Sequence, residues 1–318
     1  MTDVWYALKN QDRYVYHYTR AATLINHILP SRRLRFSRFQ TVNDPRESRD
    51  WLFAVYSLEP GDYDFEDLQR RLNASLKHSW RLGCFVSDPY EAVINKQRED
   101  KGEDILGAMY ERGHSRPRMW AQYAEDFAGA CLVFDRGKLD EGITACADAV
   151  GAVVYKGPVE YRNPRIAPDL TRLSARYVSR HEIVQLGLDV AMERHISRHW
   201  KELFFLKARD WEQEREYRWL VSGKENEDFF VDICDSLAGI ALGDRFPDCL
   251  KPKVARQIES WEVKVAIMGW RNGVPQPDPT LPRLLAQADN SPKSKLSDLQ
   301  IIVVIAACLL AAILWRLW

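Results

Sequence analysis

The charged side chains that could do chemistry concentrate in residues 201–221, KELFFLKARDWEQEREYRWLV. In an extended segment Glu214, Glu216 and Arg218 would share one face, because alternate residues of a strand point the same way. The end of the run, YRWLV, is aromatic and β-branched, which favours a strand. We therefore predict a helix through about Trp211 that becomes a strand near Glu214.

This arrangement would place two carboxylates beside an arginine on one strand face. Like charges this close raise at least one carboxyl pKa, and a neighbouring arginine lowers it again. Such a pair can do acid–base work or hold a ribose hydroxyl. A sheet face closed by salt bridges has the same composition and is the simpler interpretation. Whether the chain is an enzyme therefore stays open at this point.

Alternating and helical patterns predict the elements that must position these residues. Strands are expected at 13–19, 33–39, 81–88, 130–135, 239–246 and 263–270, with one or two more within 152–162. Helices are expected at 21–31 with a stop at Pro30, at 61–80, at 116–129 with Gly129 as C-cap, through 168–206, and around 250–261. Residues 41–48 read as a turn. The fold class is α+β: a single mixed α/β domain over about 1–285, with a central, largely antiparallel sheet and an inserted helical region.

The charged run contains one of three short motifs in the sequence. They are Asn43-Asp44-Pro45 with Glu47, Met119-Trp120 with Tyr123, and the K-x-x-x-W-x-x-E-x-E-x-R spacing of Lys207, Trp211, Glu214, Glu216 and Arg218. Their order over about residues 14–221 resembles a bacterial family known as domain of unknown function 2971. That family carries no established activity, so the resemblance implies the fold and marks these polar residues as candidates for ligand binding. His17 stands where the family often has a lysine.

The order of elements is also loosely similar to ADP-ribosyltransferase-like folds, with His17 on an opening strand and a glutamate on a late strand. That similarity implies that His17 holds a ribose, that Tyr123 or Trp120 stacks on a nicotinamide, and that Glu216 is catalytic, with Glu214 beside it. NAD is accordingly the candidate cofactor. A glutamate suits this role because it stabilises positive charge that develops on the sugar carbon.

A second hypothesis assigns no chemistry to the same residues. A membrane-tethered module that senses a ligand or binds a protein could use the turn and the late cluster: Asn43, Asp44, Glu47, Lys207 and Arg218. Arg46, Arg118 and Arg218 could then grip phosphate or carboxylate groups. Under either hypothesis the architecture suggests a role in bacterial defence, including defence against phage, or in stress.

Composition and missing motifs disfavour other classes. Lys+Arg and Asp+Glu both total 45, so no overall field draws the chain onto DNA or RNA. The sequence has no glycine-rich phosphate loop and no G-x-S-x-G elbow. The six cysteines are scattered, which indicates buried, reduced thiols rather than a metal or redox motif.

One pair of histidines has the spacing of metal ligands. His195 and His199 lie four residues apart in a predicted helix, and His181 or Glu193 could supply a third ligand. The glutamate that follows the first histidine in zinc proteases is absent, since Ile196 is there. We therefore interpret the pair as an exposed polar helix face and expect no metal.

The last twenty residues, LQIIVVIAACLLAAILWRLW, have no charge from Leu299 to Trp315. As a helix these seventeen positions would be about 25 Å long, near the short end of what crosses a hydrocarbon core. Residues 286–298 before it form a polar linker, in which Lys293 and Lys295 favour the cytoplasmic side. We expect a transmembrane tail anchor at 299–318, a cytoplasmic soluble domain, and a single-pass protein of the bacterial inner membrane.

Overall fold

The computed structural model describes residues 4–5, 13–42, 44–56, 64–88, 112–162, 175–223 and 227–278, without the side chains of residues 45, 46 and 56. All of these belong to one compact unit, Met1–Pro282. The second unit, Arg283–Trp318, lies outside the described residues. The predicted domain boundary at 285 therefore stays a prediction.

A ten-stranded sheet forms the centre of the described unit. Its main path runs through β11 (Phe229–Asp232), β2 (Arg33–Arg38), β4 (Trp80–Ser87), β1 (Tyr14–Thr19), β5 (Ala130–Asp135), β12 (Leu237–Leu242), β13 (Lys264–Arg271) and β14 (Val274–Asp278). β10 (Glu216–Ser222) pairs with β4 and carries β6 (Val154–Pro158) on its other side. Within this sheet β12 and β13 run parallel and the other pairs run antiparallel. The predicted mixed α/β class with a largely antiparallel sheet is confirmed.

β4 is the strand at which the sheet branches. One of its edges pairs with β10 along its length. Its other edge pairs with β2 at residues 81–82 and with β1 at residues 86–87. Gly83, Cys84 and Phe85 lie between these two contacts, and none of the described strands covers them on that edge. The sheet is therefore split beside β4.

Apolar side chains cover both faces of the sheet, as the alternation of strand residues requires. Trp219 belongs to a cluster with Leu139 and Ile143 of the helix Arg136–Asp148 and Val254 of the helix Lys251–Gln257. Its neighbour Leu220 belongs to a second cluster, formed with the helices Phe65–His78 and Leu188–Phe204. Each large apolar side chain buried in this way stabilises the fold by about 1.5–3 kcal/mol relative to an exposed one.

The first helical segment differs from the prediction at Pro30. Ala21–Thr23 and Leu29–Ser31 are α-helical, and Leu24–Ile28 between them is a π-helix. The wider turn displaces the carbonyl that the ring of Pro30 would meet in a regular α-helix. The helix therefore continues past the proline and ends where Arg32 adopts a left-handed φ of 56°.

The predicted turn at 41–48 contains a short helix. Residues Phe39–Thr41 form a 3₁₀ turn and Pro45–Ser48 an α-helical turn. The backbone N–H groups of Glu47 and Ser48 donate to the carbonyl of Asp44 at 2.9 and 3.0 Å. Proline at the first position favours this helical turn because its missing N–H would have no partner there.

The helix predicted at 116–129 ends early, at Tyr123, so it spans Pro117–Tyr123. Glu125, Asp126 and Phe127 have left-handed φ values of 49°, 49° and 69°, which no helix can include. Gly129 is therefore not its C-cap. A Cβ at Gly129 would lie 2.3 Å from the carbonyl oxygen of Thr19, so glycine is required there for the close approach of β1.

The inserted helical region consists of two helices, Arg180–Leu186 and Leu188–Phe204. The prediction of helix throughout 168–206 is wrong at β8 (Tyr177–Ser179), which runs parallel to β3 (Ala54–Tyr56). A pairing between segments so far apart in the chain leaves no local pattern. Residues 168–174 of the same prediction lie outside the described residues.

The charged run begins as a helix that ends earlier than predicted. The helix stops at Phe204, and β9 (Leu206–Ala208) follows, paired in parallel with β7 (Glu160–Arg162). Residues Arg209–Glu214 form a 3₁₀ helix, and Arg215 has a left-handed φ of 44° that turns the chain into β10. A helix through Trp211 is therefore wrong, whereas the strand that begins near Glu214 is confirmed from Glu216 onward.

Three strands, β3, β11 and β14, and the helix Arg136–Asp148 lie in segments for which the sequence analysis predicts no element. The helix buries only the narrow stripe of Leu139, Ile143 and Ala147, so its apolar period is weak. Asp135 caps it by accepting hydrogen bonds from the N–H groups of Gly137 and Lys138. The three strands have few residues each and depend on partners that are distant in the sequence.

The predicted linker at 286–298 and anchor at 299–318 lie outside the described residues. No helix within the described ranges is both long and apolar enough to cross a membrane.

Candidate functional site

A cavity of about 220 Å³ opens where the sheet splits. Its apolar walls include Leu34, Phe36, Phe85, Val86 and Met119. Its polar side contains seven of the residues that the sequence marks as candidates: His17, Glu47, Tyr123, Lys207, Glu214, Glu216 and Arg218. The split thus brings together side chains from five separate segments of the chain.

Arg218 organises the charged side of this cavity and is fully buried. Its Nε and Nη2 donate to the two oxygens of Glu216 at 2.5 and 3.0 Å. Its Nη1 donates to Glu47 Oε1 and to the carbonyl of Phe204. The planar guanidinium therefore fixes both carboxylates and ties β10 to the end of the long helix.

Lys207 is the second buried cation. It lies on β9, and its Nζ is 3.0 Å from Glu214 Oε2 and 2.9 Å from Glu216 Oε2. Burial by itself would lower the pKa of Lys207, but the neighbouring carboxylates, Glu216 foremost, raise it above the ordinary value. Lys207 is therefore an ammonium ion that bridges two carboxylates.

Glu216 is an ionised carboxylate whose acceptor positions are well occupied. Burial acts to raise its pKa, but Arg218 and Lys207 lower it to about 2. The Cys84 thiol also hydrogen-bonds to Glu216, in addition to three nitrogen atoms of Arg218 and Lys207. A carboxylate has about four acceptor positions, so Glu216 has little capacity left for a ligand.

Glu214 does not share a strand face with Glu216, contrary to the prediction. It ends the 3₁₀ helix, and Arg215 separates it from β10. Its carboxylate nevertheless reaches the same lysine, and its Oε1 accepts a hydrogen bond of 2.6 Å from the hydroxyl of Tyr123. Each of its oxygens has one partner, so capacity for a further donor remains.

Glu47 is the third carboxylate and is 1% exposed. Its Oε1 accepts from Arg218, while its Oε2 is buried and has no hydrogen-bond partner in the part of the chain that the structure describes. Burial raises the pKa of Glu47, and the positive charges of Arg218 and Lys207 only partly offset that rise. One oxygen at the cavity wall is therefore unsatisfied, which is costly in a buried carboxylate.

His17 lines the cavity from the other side of the split. The register pairs Tyr16 with Val86 and Val86 with Glu216, so these three share one sheet face and His17 points to the opposite one. Its Nδ1 is 3.1 Å from the carbonyl oxygen of Cys84, in the uncovered part of β4. Burial lowers the pKa of His17, so at neutral pH it is an uncharged imidazole.

Two predicted aromatic residues do not line the cavity. Trp120 is buried in the core, where its ring packs edge-on against Tyr18 and its Nε1 donates to the carbonyl of His114 at 2.7 Å. Trp211 lies outside the cavity, with the Nζ of Lys207 5.2 Å from its ring centroid. The predicted stacking role can therefore belong to Tyr123 but not to Trp120.

The predicted turn contributes less than expected. Asp44 is buried but does not line the cavity, and its backbone carbonyl starts the helical turn that presents Glu47. Asn43 and the side chain of Arg46 lie outside the described residues. Arg118 is exposed and donates to Gln122 and to the carbonyl of Asp210, so it does not grip a group inside the cavity.

The histidine pair is not an exposed polar face. His195 is buried, and its Nε2 is 2.9 Å from the carbonyl oxygen of Ala175. The rings of His195 and His199 pack with centroids 4.7 Å apart. Among the described residues no group of three or more His, Cys, Asp or Glu side chains is arranged so that it could hold a metal ion.

Three residues in or next to the cavity were not marked as site residues by the sequence analysis. Cys84 lines the cavity through its position opposite Arg218 in the sheet register. The hydroxyl of Tyr161 accepts a hydrogen bond of 2.8 Å from the N–H of Glu216 and so fixes the start of β10. Tyr16 lines the cavity while its hydroxyl donates to Asp88 at 2.9 Å. Strand register decides all three placements, and a single sequence does not reveal it.

The charged side therefore contains three carboxylates and two cations. Glu47, Glu214 and Glu216 face Lys207 and Arg218 in a site withdrawn from water. Charges in such a site interact far more strongly than in bulk water. The arrangement can stabilise positive charge on a bound group, whether that charge is permanent or develops during a reaction.

Comparison with known proteins bears on the segment that supplies most of this site. No curated protein and no solved structure matches the chain. One family model does match, and it covers residues 119–219, a segment that includes Met119-Trp120, Tyr123 and the run from Lys207 to Arg218. The opening motifs with His17 and Glu47 lie before that segment. The match supports the resemblance over this segment: residues 119–219 match the family described as Protein of unknown function (DUF2971).

Proposed function

We propose that the cavity binds the sugar-bearing end of a nucleotide, NAD being the first candidate, and that the protein acts on its N-glycosidic bond. The observation that carries this proposal is the excess of buried carboxylates over cations at the cavity wall. Cleavage of such a bond develops positive charge on the sugar carbon, and a preorganised negative site stabilises that charge. Tyr123, which is anchored to Glu214, supplies an aromatic surface beside the carboxylates.

The size of the cavity limits what can enter. About 220 Å³ lies below the range of about 300–1,000 Å³ that is usual for whole drug-sized ligands. A base or a sugar fits, whereas a complete dinucleotide does not. The phosphates of NAD would therefore remain at the mouth, where Arg35 lines the cavity with a side chain that is 62% exposed.

The test is release of nicotinamide from NAD by the full-length protein. We expect Glu216→Gln to lower the release rate about 100-fold or more, because loss of one preorganised electrostatic group has effects of that order. Tyr123→Phe, which keeps the ring but loses the hydrogen bond to Glu214, should lower the rate less. Glu182→Gln removes a partly buried carboxylate that pairs with Arg198 and does not line the cavity, so it serves as the matched control and should leave the rate unchanged.

Circular dichroism and Tm must show that Glu216→Gln is folded before its rate is compared. Release at the buffer rate by the wild type, or equal release by wild type and Glu216→Gln, would contradict the proposed reaction.

A second candidate is a module that binds the ligand without chemistry. The occupied acceptor positions of Glu216 favour it, because a carboxylate held by Arg218, Lys207 and Cys84 acts as a structural anchor. A nucleotide that raises Tm and is recovered unchanged would support this candidate, since binding to the folded state alone raises stability.

The proposed location rests on the sequence of the last twenty residues. A tail anchor at 299–318 would hold the described unit at the cytoplasmic face of a membrane, where the same cavity would meet soluble nucleotides or a protein ligand. A role in defence or stress stays a prediction from this architecture.

A further inference from the structure

The unpaired oxygen of Glu47 indicates that the ligand supplies a hydrogen-bond donor. Glu47 is almost completely buried, and one of its oxygens is bound by Arg218. The other, Oε2, has no hydrogen-bond partner among the described residues, although Glu47 lines the cavity. Buried polar atoms are nearly always paired, so an unpaired carboxylate oxygen on a residue that lines the cavity points to a missing hydrogen-bond donor.

The charge balance narrows the kind of donor. Arg218 and Lys207 are each already engaged by two carboxylates, and the three carboxylates exceed the two cations by one. His17 adds no charge because burial lowers its pKa. A hydroxyl group of the ligand would donate a hydrogen bond to Glu47 Oε2 but would leave the excess negative charge. A cationic N–H group or a delocalised cation would donate the hydrogen bond and also neutralise that charge.

The aromatic residues that line the cavity indicate the shape of the ligand. Phe36 and Phe85 are fully buried aromatic residues that line the cavity, and Tyr123 stands beside Glu214. Aromatic faces attract flat cations in addition to packing against them. A compact ammonium ion would leave the aromatic part of the cavity lining unused, whereas a planar cation would have both a ring to pack against that lining and a charge to pair with Glu47.

We propose that the cavity selects a flat, delocalised organic cation, and that Glu47 is the residue that sets this preference. The inference rests on the proposed function in placing the ligand in this cavity, and it adds the charge of the ligand and the residue that reads it. In this proposal Glu216 holds Arg218 and Lys207 in position and does not contact the ligand, while Glu47 contacts the bound group.

The test uses two probes of equal shape. Benzamidine is a flat cation, and benzamide is its neutral counterpart with one nitrogen replaced by oxygen. Calorimetric titration of the full-length protein should show that benzamidine binds about tenfold more tightly or better, because a hydrogen bond between charged partners contributes more than a neutral one. Equal affinity, tighter binding of benzamide, or no binding of either probe at millimolar concentration would overturn the inference.

The variant Glu47→Gln tests whether Glu47 causes the preference for benzamidine over benzamide. Glutamine keeps the size of the side chain and an acceptor for Arg218 but removes the charge, so the preference for benzamidine should fall to about threefold or less. Glu182→Gln should keep the wild-type preference, since that partly buried carboxylate pairs with Arg198 and does not line the cavity. An unchanged preference in folded Glu47→Gln would overturn the role of Glu47.

The two proposals fail separately. If benzamidine binds preferentially and NAD is not cleaved, the cavity is a cation site and the proposed reaction is wrong. If NAD is cleaved while benzamide and benzamidine bind equally, the reaction stands and the charge preference is wrong.

Discussion

At the scale of single residues, the centre of this protein is a buried arginine rather than a glutamate. Arg218 contacts both Glu216 and Glu47, and the Nζ of Lys207 links Glu216 to Glu214. Buried ion pairs of this kind add little net stability as a set, but removing one partner leaves the others as uncompensated charges. The cluster is therefore expected to respond strongly to single substitutions.

We predict that Arg218→Met lowers the free energy of unfolding by about 3–5 kcal/mol, because Glu47 and Glu216 lose their shared partner in a dry environment. Arg70→Ala is the matched control, since Arg70 pairs with Asp67 on an exposed helix surface and should cost at most about 1 kcal/mol. Urea denaturation of the three proteins measures both values. A loss for Arg218→Met as small as that of the control would show that the buried cluster is not energetically coupled to the fold.

At the scale of elements, the cavity exists because β1 and β2 meet the same edge of β4 without meeting each other. Gly83 lies in the uncovered stretch, and the ring of Phe36 packs against it. A Cβ at Gly83 would lie 2.4 Å from the tip of that ring, and because the ring lines the cavity, an added methyl group would have to displace it. The width of the split therefore depends on a glycine.

We predict that Gly83→Ala destabilises the protein by about 1–3 kcal/mol, as overpacking of a close-packed core does. The added methyl group should also weaken binding of any probe to the cavity, because Phe36 would be pushed inward. The double variant with Phe36→Leu should recover part of the stability.

Gly137→Ala is the control for this experiment. Its Cβ would meet Asp135 at 3.5 Å, an ordinary contact, and alanine is the better helix former. We expect it to be neutral or slightly stabilising by urea denaturation. If Gly83→Ala behaved like Gly137→Ala, the close packing of Phe36 on Gly83 would not determine the cavity.

At the scale of the whole molecule, the candidate site of the described unit lies where the central sheet splits beside β4. The apolar clusters on the two faces hold β4, β1 and β10 in place, so the charged side chains need no movement to meet. Such preorganisation suits a site that stabilises charge, because its dipoles and charges are already oriented when the ligand binds.

The expected anchor gives a prediction at this scale. The full-length protein should sediment with membranes and resist extraction by high salt, since about twenty apolar residues partition into a hydrocarbon core. A chain that ends before Leu299 should appear in the supernatant. Salt-extractable or soluble full-length protein would make the anchor prediction wrong, and the truncated chain controls for aggregation of the described unit.

Much of the architecture follows from local patterns in the sequence. The alternation in residues 13–19 and 33–39 predicts β1 and β2, and the apolar run 130–135 predicts β5. The apolar stripe in 61–80 predicts the helix Phe65–His78. Misplaced elements, such as the helix through Trp211, occur where a pairing between distant segments overrides the local preference. β7 with β9 and β3 with β8 are both of this type.

The sequence by itself determined the class of fold and most of the charged residues that line the site. The charged run and the family resemblance of the motifs marked Glu47, Tyr123, Lys207, Glu214, Glu216 and Arg218, all of which the structure brings to one cavity. Only the tertiary structure decided their roles. In the folded chain the acceptor positions of Glu216 are occupied, Glu47 Oε2 has no hydrogen-bond partner among the described residues, and Trp120 is buried in the core. These properties depend on contacts between distant segments, so the sequence alone does not give them.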